Sequence, residues 1–201
     1  IGKYMLLMGK VFSRPEKTSI YYRRILVEID ALGINSIPLV AIISIFIGAV
    51  IALQMGITLE SPFIPKFMIG YATRETMFLE FSSTVIAIIL AGKVGSNIAS
   101  EIGTMRVTQQ IDALEIMGVN SANFLIFPKV TALVSMIPIL VIFSIAAGIA
   151  GSYAIGMFTG IMTPDDLTTG LQYEFSQWYI WCSIIKSLFF AFIISSVASF
   201  Y

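Results

Sequence analysis

The sequence predicts an all-α polytopic membrane protein, and three observations lead to this fold class. Of its 201 residues, 57% are hydrophobic and only 12% are charged, whereas charged residues make up roughly a quarter of a soluble domain. Four apolar stretches are each long enough to cross about 30 Å of hydrocarbon, which takes about 20 helical residues. A helix satisfies its own backbone hydrogen bonds in lipid, so these stretches are expected to be helical.

Residues 1–30 are predicted to form an amphipathic helix that lies in the membrane interface. Basic residues alternate there with apolar ones, a pattern typical of interfacial helices. The basic residues of the segment are Lys3, Lys10, Arg14, Lys17, Arg23 and Arg24. The alternative is a frayed basic tail that only sets the orientation of the chain in the membrane.

The four predicted spans cover residues 37–59, 76–99, 124–158 and 178–201. The third is longer than a bilayer requires and contains Pro128 and Pro138. Pro138 is expected to kink it, because proline removes a backbone hydrogen bond and crowds the preceding turn. The fourth is still apolar at Tyr201, so the natural protein is expected to continue beyond that residue.

Lysine and arginine in the short loops predict the orientation of the chain. Six basic residues lie within the first 24, and the segment between the second and third spans contains Arg106. The 159–177 loop has acidic residues and no basic one. Positive loops stay in the cytoplasm, so the N-terminus and the segment at 100–122 are predicted to be cytoplasmic.

Several classes of function lack the residues that they need. The chain has no histidine and one cysteine, Cys182, which removes the usual general base and the usual metal ligands. Neither a phosphate-binding GxxxxGK[ST] loop nor a GxSxG or HExxH motif occurs. The net charge is zero, so the sequence lacks the excess of positive charge that is typical of proteins that bind nucleic acid. We therefore predict no catalytic residue, metal site or cofactor in this chain.

The segment from residue 100 to residue 118 is the most informative part of the sequence. Its apolar residues Ile102, Met105, Ile111, Leu114 and Met117 are interleaved with charged and amide side chains, which predicts one short amphipathic helix. Such a helix, held between two spans, suits contact with a cytoplasmic partner. An ordinary interfacial loop helix explains the pattern equally well.

This segment also carries a resemblance to a known family. The run EIGTMRVTQQIDAL at 101–114, MGV at 117–119 and Pro128 resembles the signature of the MlaE/YrbE permeases. AGKVGS at 91–96 and IKS at 185–187 resemble two further runs of that family. These permeases are membrane subunits of ABC transporters that move phospholipids or related lipids for maintenance of the cell envelope.

The resemblance implies a set of partners and a location. It implies a homodimer with five spans per chain in the bacterial inner membrane, with the fifth span beyond Tyr201. A lipid cavity would open toward the periplasm at the dimer axis. Two cytoplasmic ATPase subunits would bind ATP and Mg, and a ring of periplasmic MCE-domain subunits would complete the assembly.

The resemblance also assigns roles to individual residues. The helix from Ser100 to Met117 would be the coupling helix, seated in a groove of the ATPase. The residues at or near that contact would be Glu101, Arg106, Gln109 and Asp112.

Two charged residues in the apolar spans are candidates for the lipid cavity. An isolated charge in hydrocarbon is costly, and such residues tend to be functional. Glu80 and Lys186 would lie at comparable depth, so an ion pair between them is sterically reasonable. The family also has a glutamate and a lysine near its cavity, which implies that both residues line or gate the outer mouth. A structural pair that only orients two spans is the alternative.

The first span offers further candidates for the cavity wall. Val50, Leu53 and Gln54 fall on related helical faces, and lipid-facing bulk is the alternative to a cavity lining. The chain departs from the family at LEFSS, residues 79–83, where many members have Arg-Glu-x-Gly-Pro. Two stripes of small residues predict close helix packing. They are Ala87, Ala91, Gly95 and Ala99, and Ser144, Gly148, Ser152 and Gly156.

Three other functions fit the sequence less well than a lipid permease does. An ion-coupled secondary carrier would favour inverted repeats and more midplane charges, and the sequence has neither. An intramembrane enzyme would need a nucleophile–base pair. A scaffold that only docks cytoplasmic and periplasmic partners would not carry bound lipid.

Overall fold

The computed structural model describes residues 2–11, 18–59, 61 and 63–200, and these residues form helices and short connections without a strand. The α-helices of the described residues are α1 (Gly2–Val11), α2 (Thr18–Glu28), α3 (Ile37–Thr58), α4 (Phe67–Thr76), α5 (Ser82–Val107), α6 (Gln110–Ile116), α7 (Ser121–Thr159), α8 (Pro164–Gln172) and α9 (Gln177–Phe200). Two π-helical turns, at Ile29–Gly33 and Met77–Phe81, and a 3₁₀ turn at Ile34–Ser36 join some of them.

The all-α polytopic fold class is confirmed. Four helical runs of the described residues are long and apolar enough to cross a membrane, and each covers one predicted span to within one residue. They are Tyr21–Thr58, Phe67–Val107, Ser121–Thr159 and Gln177–Phe200. The second run begins well before residue 76, because polar side chains near its start bond to their own helix. Thr73 donates to the carbonyl of Ile69 at 2.7 Å and Thr76 to that of Ala72 at 2.7 Å.

The third run stays helical through both of its prolines. α7 extends without interruption past Pro128 and Pro138, so neither proline ends the helix. Near Pro138, the hydroxyl of Ser135 donates to the carbonyl of Ala132 at 2.8 Å.

The predicted helix over residues 1–30 corresponds to α1 and α2, and its residues 12–17 lie outside the described part of the chain. Hydrogen bonds from α7 stabilise the C-terminal end of α1. Asn123 donates to the carbonyl of Val11 at 2.6 Å, and Asn120 donates to that of Lys10 at 3.2 Å. The two amides therefore supply hydrogen bonds to the last carbonyls of α1, as capping groups do at helix ends.

The contacts divide the chain into two units. The first comprises residues 1–36, 87–137 and 188–201. One apolar cluster in it contains five buried side chains from α1 and α7: Met8, Val11, Leu125, Ile126 and Val130. One face of α1 is therefore covered by protein, while Met5 and Leu6 remain exposed.

The second unit comprises residues 37–86 and 138–187, and glycines bring its helices into close contact. A Cβ at Gly48 of α3 would lie 1.9 Å from the carbonyl oxygen of Gly148 in α7. The hydroxyl of Ser44 donates to that of Ser144 at 2.8 Å across the same contact. The predicted stripe on the third span is therefore a packing seam, and its residues Ser144, Gly148, Ser152 and Gly156 are all buried.

The predicted stripe on the second span is different. Ala87 is buried, but Ala91 and Ala99 are exposed on the single chain. A Cβ at Gly95 would meet only the methyl group of Ala198, at an ordinary 3.8 Å. This stripe therefore makes little close packing within the chain itself.

Candidate functional site

The segment predicted to couple to an ATPase contains two helices instead of one. α5 continues to Val107, and α6 begins at Gln110. Between them Gln109 has a φ of 58°, in the left-handed region that is unfavourable for a side chain. The prediction of one continuous helix from Ser100 to Met117 was therefore wrong. We call residues 100–117, with this break, the connector.

The break follows from the phase of the apolar residues. In one continuous helix, at about 100° per residue, Ile111 would lie roughly opposite Ile102. Both residues nevertheless pack against the apolar cluster of the first unit, together with Met105 and Leu114. The left-handed break at Gln109 lets both pairs, Ile102 with Met105 and Ile111 with Leu114, face the same apolar cluster. The apolar residues of the connector therefore do not form one amphipathic face of a single helix, as the sequence had suggested.

The predicted ATPase contacts divide into two kinds of environment. Arg106, Gln109 and Asp112 are exposed, on or beside the break. Two apolar side chains on the connector, Val107 and Ile116, are 85% and 87% exposed. Exposed apolar groups among polar ones are typical of a surface that receives a partner. Glu101, in contrast, makes an ion pair within the chain.

Glu101 belongs to a group of charges around a buried lysine, Lys129, that the sequence did not predict. The Nζ atom of Lys129 lies 2.6 Å from Oε2 of Glu101 and 2.7 Å from Oε1 of Glu28. The Lys129 side chain is 1% exposed. The only signal in the sequence was a lysine next to Pro128 inside an apolar run. We call these three residues the Lys129 triad.

A cleft adjoins the triad in the first unit. Its volume is about 540 Å³, and Arg23, Arg24, Val27, Met105, Leu125 and Pro128 line it together with the triad. Arg24 is already engaged, because its guanidinium stacks 3.7 Å from the centre of the Phe124 ring and donates to the Phe124 carbonyl at 3.2 Å.

Two of the predicted cavity residues line one cleft in the second unit. Gln54 and Glu80 are joined there by Glu75, and the cleft has a volume of about 330 Å³. We call it the Gln54–Glu80 cleft. Val50 is exposed and Leu53 is half-buried, and neither lines this cleft.

The ion pair between Glu80 and Lys186 is not formed. Lys186 donates instead to the backbone carbonyl of Leu79, with an Nζ–O distance of 2.8 Å. Glu80 is exposed in the π-helical turn Met77–Phe81 and has no salt bridge within the described residues. The lysine finds a partner in the backbone of that turn, so it does not need the neighbouring carboxylate.

Arg74 is a second buried cation that the sequence analysis missed. It is 2% exposed, and its Nη1 atom donates to the carbonyls of Leu171 at 2.7 Å and Tyr173 at 2.9 Å. Its guanidinium also lies 5.0 Å from the centre of the Tyr71 ring. Arg74 thus ties α4 to the C-terminal end of α8.

The helix α8 lies in a region that had been interpreted as a loop. Thr163 caps its N-terminus, and the side chains of Thr163 and Asp166 form a reciprocal capping box, with Pro164 in the first turn. The hydrogen bond from the Thr163 side chain is the main cause that lowers the pKa of Asp166 below its ordinary value. The run Thr163-Pro164-Asp165-Asp166 was a recognisable helix start in the sequence.

No group of three histidine, cysteine, aspartate or glutamate side chains that could hold a metal ion occurs among the residues that the structure describes.

Known proteins resemble this chain over most or all of its length. The family profile described as Permease MlaE matches residues 25–201. A probable ABC transporter permease protein of Rickettsia bellii is 32% identical over all of this chain and 77% of its own length. The intermembrane phospholipid transport system permease protein MlaE of Haemophilus influenzae is 29% identical over 97% of this chain and 74% of its own length. The chain therefore belongs to the MlaE permease family.

Proposed function

We propose that this chain is the permease subunit of an ABC transporter that moves phospholipids or related lipids between the inner membrane and a periplasmic carrier. Membership of the MlaE permease family supports a permease, and the name of the Haemophilus influenzae relative supports phospholipid as the cargo. The structural observation that carries the proposal is the connector. It presents Arg106, Gln109 and Asp112 beside exposed apolar groups, between two membrane-spanning runs.

The chain would act without chemistry of its own. A separate cytoplasmic ATPase subunit would bind ATP and Mg and hydrolyse the nucleotide. The sequence has no phosphate-binding loop, and the polar and apolar groups of the connector suit docking in a groove of that subunit. Closure of the ATPase would move the connector as a rigid body and tilt the helices α5 and α7 that flank it.

The assembly would be a homodimer with a lipid cavity between its two chains. Apolar side chains on α3 support this, since Phe46 and Val50 are exposed on the single chain. The exposed part of the small-residue stripe on α5, Ala91 to Ala99, would let a neighbouring helix approach closely. Gln54, Leu53, Glu80 and Lys186 would lie along or near the cavity, and periplasmic MCE-domain subunits would receive the lipid. The N-terminus would be cytoplasmic.

The proposal is tested by purifying the full-length protein from native membranes and identifying the bound proteins and lipids by mass spectrometry. The native protein is compared with Asp112→Arg, which reverses a charge on the connector. The matched control is Asp165→Arg, which reverses an exposed charge on α8.

An ATPase and phospholipid are expected with the native protein and with the control. Asp112→Arg should lose the ATPase and keep its fold and its bound lipid. If no ATPase accompanies the native chain, the permease proposal fails. If partners are recovered but no lipid, a docking scaffold becomes the better explanation.

A further inference from the structure

Lys129 joins three helices of the first unit through one buried charge. Lys129 itself belongs to α7, Glu101 belongs to α5, and Glu28 is the last residue of α2. Both ion pairs are short, at 2.7 Å and 2.6 Å, and the lysine side chain is almost completely buried. The triad is thus a point at which displacement of one helix changes the environment of the other two.

Stability alone is a weak explanation for such a group. Desolvation of buried charges offsets much of their mutual attraction, and well-packed apolar side chains often stabilise a protein equally well. The triad differs from an apolar contact because its geometry is directional and specific for these partners. Its main effect is therefore to fix the relative position of the three helices, and its contribution to the free energy of unfolding is secondary.

The positions of the two carboxylates connect the triad to the connector. Glu101 lies at the beginning of the connector, about one and a half turns before Arg106 at 3.6 residues per turn. Glu28 lies immediately before the π-helical turn Ile29–Gly33, and such turns are frequent at functional sites. The side chain of Glu101 is 43% exposed and that of Glu28 is 17% exposed. The ion pair with Glu28 of α2 is therefore less accessible to solvent than the ion pair with Glu101 of α5.

We propose that Lys129 is a positioning residue, and that the Lys129 triad transmits displacement of the connector to the interfacial helix α2. When the connector moves, Glu101 moves with it and takes the lysine and its second partner, Glu28, along. This proposal rests on the proposed function, because an ATPase must move the connector.

The test uses the complete transporter, with its ATPase, in lipid vesicles. The triple variant Glu28→Gln, Lys129→Met and Glu101→Gln replaces all three charges with neutral side chains of similar size, so no buried charge is left unpaired. Arg23→Met is the matched control, because it removes an exposed cation that lines the same cleft. Three quantities are measured: the amount of ATPase subunit that stays bound, the rate of ATP hydrolysis, and the amount of fluorescent phospholipid transferred for each ATP hydrolysed.

We expect the triple variant to retain the ATPase and to hydrolyse ATP, while lipid transferred for each ATP falls by about fivefold or more, the lower range of coupling between protein sites. Lys129→Arg keeps the charge and should stay within about twofold of the native ratio under the same scale. A purely structural role would change assembly and not this ratio. An unchanged ratio in the triple variant overturns the positioning role.

Two further outcomes separate this inference from the proposed function. Failure of the native chain to bind any ATPase overturns the proposed function itself. If the triple variant does not assemble, Glu101→Gln provides the same comparison, because it leaves Lys129 paired with Glu28. A native ratio of lipid to ATP in that assembled variant would then overturn the role given to Glu101.

Discussion

Arg74 shows how a single buried side chain can hold two helices together. Its guanidinium donates to two carbonyls at the end of α8, at 2.7 Å and 2.9 Å. Arg74→Ala would leave these carbonyls without their donor and open a cavity. We expect a loss of about 3 kcal/mol in the free energy of unfolding, since hydrogen bonds to charged groups contribute about 1.5–3 kcal/mol each.

Thermal unfolding of the detergent-purified protein measures this loss. Arg23→Ala is the control, because Arg23 is exposed. Arg74→Lys should fall between the native protein and Arg74→Ala, as an ammonium group cannot reproduce the planar guanidinium geometry. Equal unfolding temperatures for Arg74→Ala and the control would show that the hydrogen bonds of Arg74 contribute nothing to the stability of the protein.

The capping box of α8 predicts that the stability of this helix depends on pH through one carboxylate, that of Asp166. The bond with Thr163 lowers the pKa of Asp166 in the folded state. The unfolded state therefore binds a proton more readily, and the stabilisation is complete above the ordinary aspartate pKa. It is lost as the pH falls through the lowered pKa of the folded state.

Amide hydrogen exchange in α8 at neutral and acidic pH checks this expectation. Protection of α8 should decrease on acidification in the native protein. Asp166→Asn should show less protection at neutral pH, with a loss of about 1 kcal/mol typical of helix caps, and a smaller change with pH. The same acid response in Asp166→Asn and in the native protein would refute the assignment to Asp166.

Between elements, the contact of α3 with α7 depends on glycines that no other residue can replace. A Cβ at Gly151 would lie 2.1 Å from the carbonyl oxygen of Ile45. Gly151→Ala must therefore push the two helices apart, and overpacking of this kind costs about 1–3 kcal/mol. Gly92→Ala is the control, since nothing lies within 4 Å of the added Cβ.

Thermal unfolding should separate these two alanine variants. Gly92→Ala should be neutral or slightly stabilising, because alanine favours the helix more than glycine does. An equal stability of both variants would mean that the close approach of α3 and α7 is not required.

The break in the connector predicts different effects for two substitutions at Gln109. Gln109→Gly suits the left-handed backbone, whereas Gln109→Val places a β-branched residue where its φ of 58° is strongly unfavourable. If the ATPase requires the left-handed backbone at Gln109, the glycine variant retains ATPase binding and the valine variant loses it. Co-purification of the ATPase measures both, and loss of binding in the glycine variant would show that the amide side chain is needed.

Particular residues show what the sequence could and could not predict at this scale. Continuous apolar composition was enough to place the four spans, because length and hydropathy alone decide whether a helix can cross lipid. The break at Gln109 was missed because it depends on which side chains share the core with α1 and α7. The capping box at Thr163 was a local signal that was overlooked. The ion pairs of Lys129, in contrast, depend on residues 101 and 28 positions away and require the folded chain.

The proposed lipid pathway belongs to the scale of the whole assembled transporter. The structure changes what is expected of Glu80 and Lys186, the two charges that are proposed to lie along it. An ion pair between Glu80 and Lys186 would make their substitutions strongly non-additive. The structure instead places the lysine on the carbonyl of Leu79 and leaves the carboxylate exposed beside the Gln54–Glu80 cleft. Each charge should therefore act on the lipid independently of the other.

A double-mutant cycle on lipid transport by the complete transporter tests this independence. Glu80→Gln, Lys186→Met and the double variant are compared with the native protein, with ATPase binding as the measure of intact assembly. We expect the effects of the two single variants on the transport rate to multiply, which corresponds to a coupling free energy below about 0.5 kcal/mol. A double variant no worse than either single variant would mean that the two charges act as a pair during transport. Because Lys186 donates to the carbonyl of Leu79 in this structure, such a pair would have to form in a second conformation of the chain.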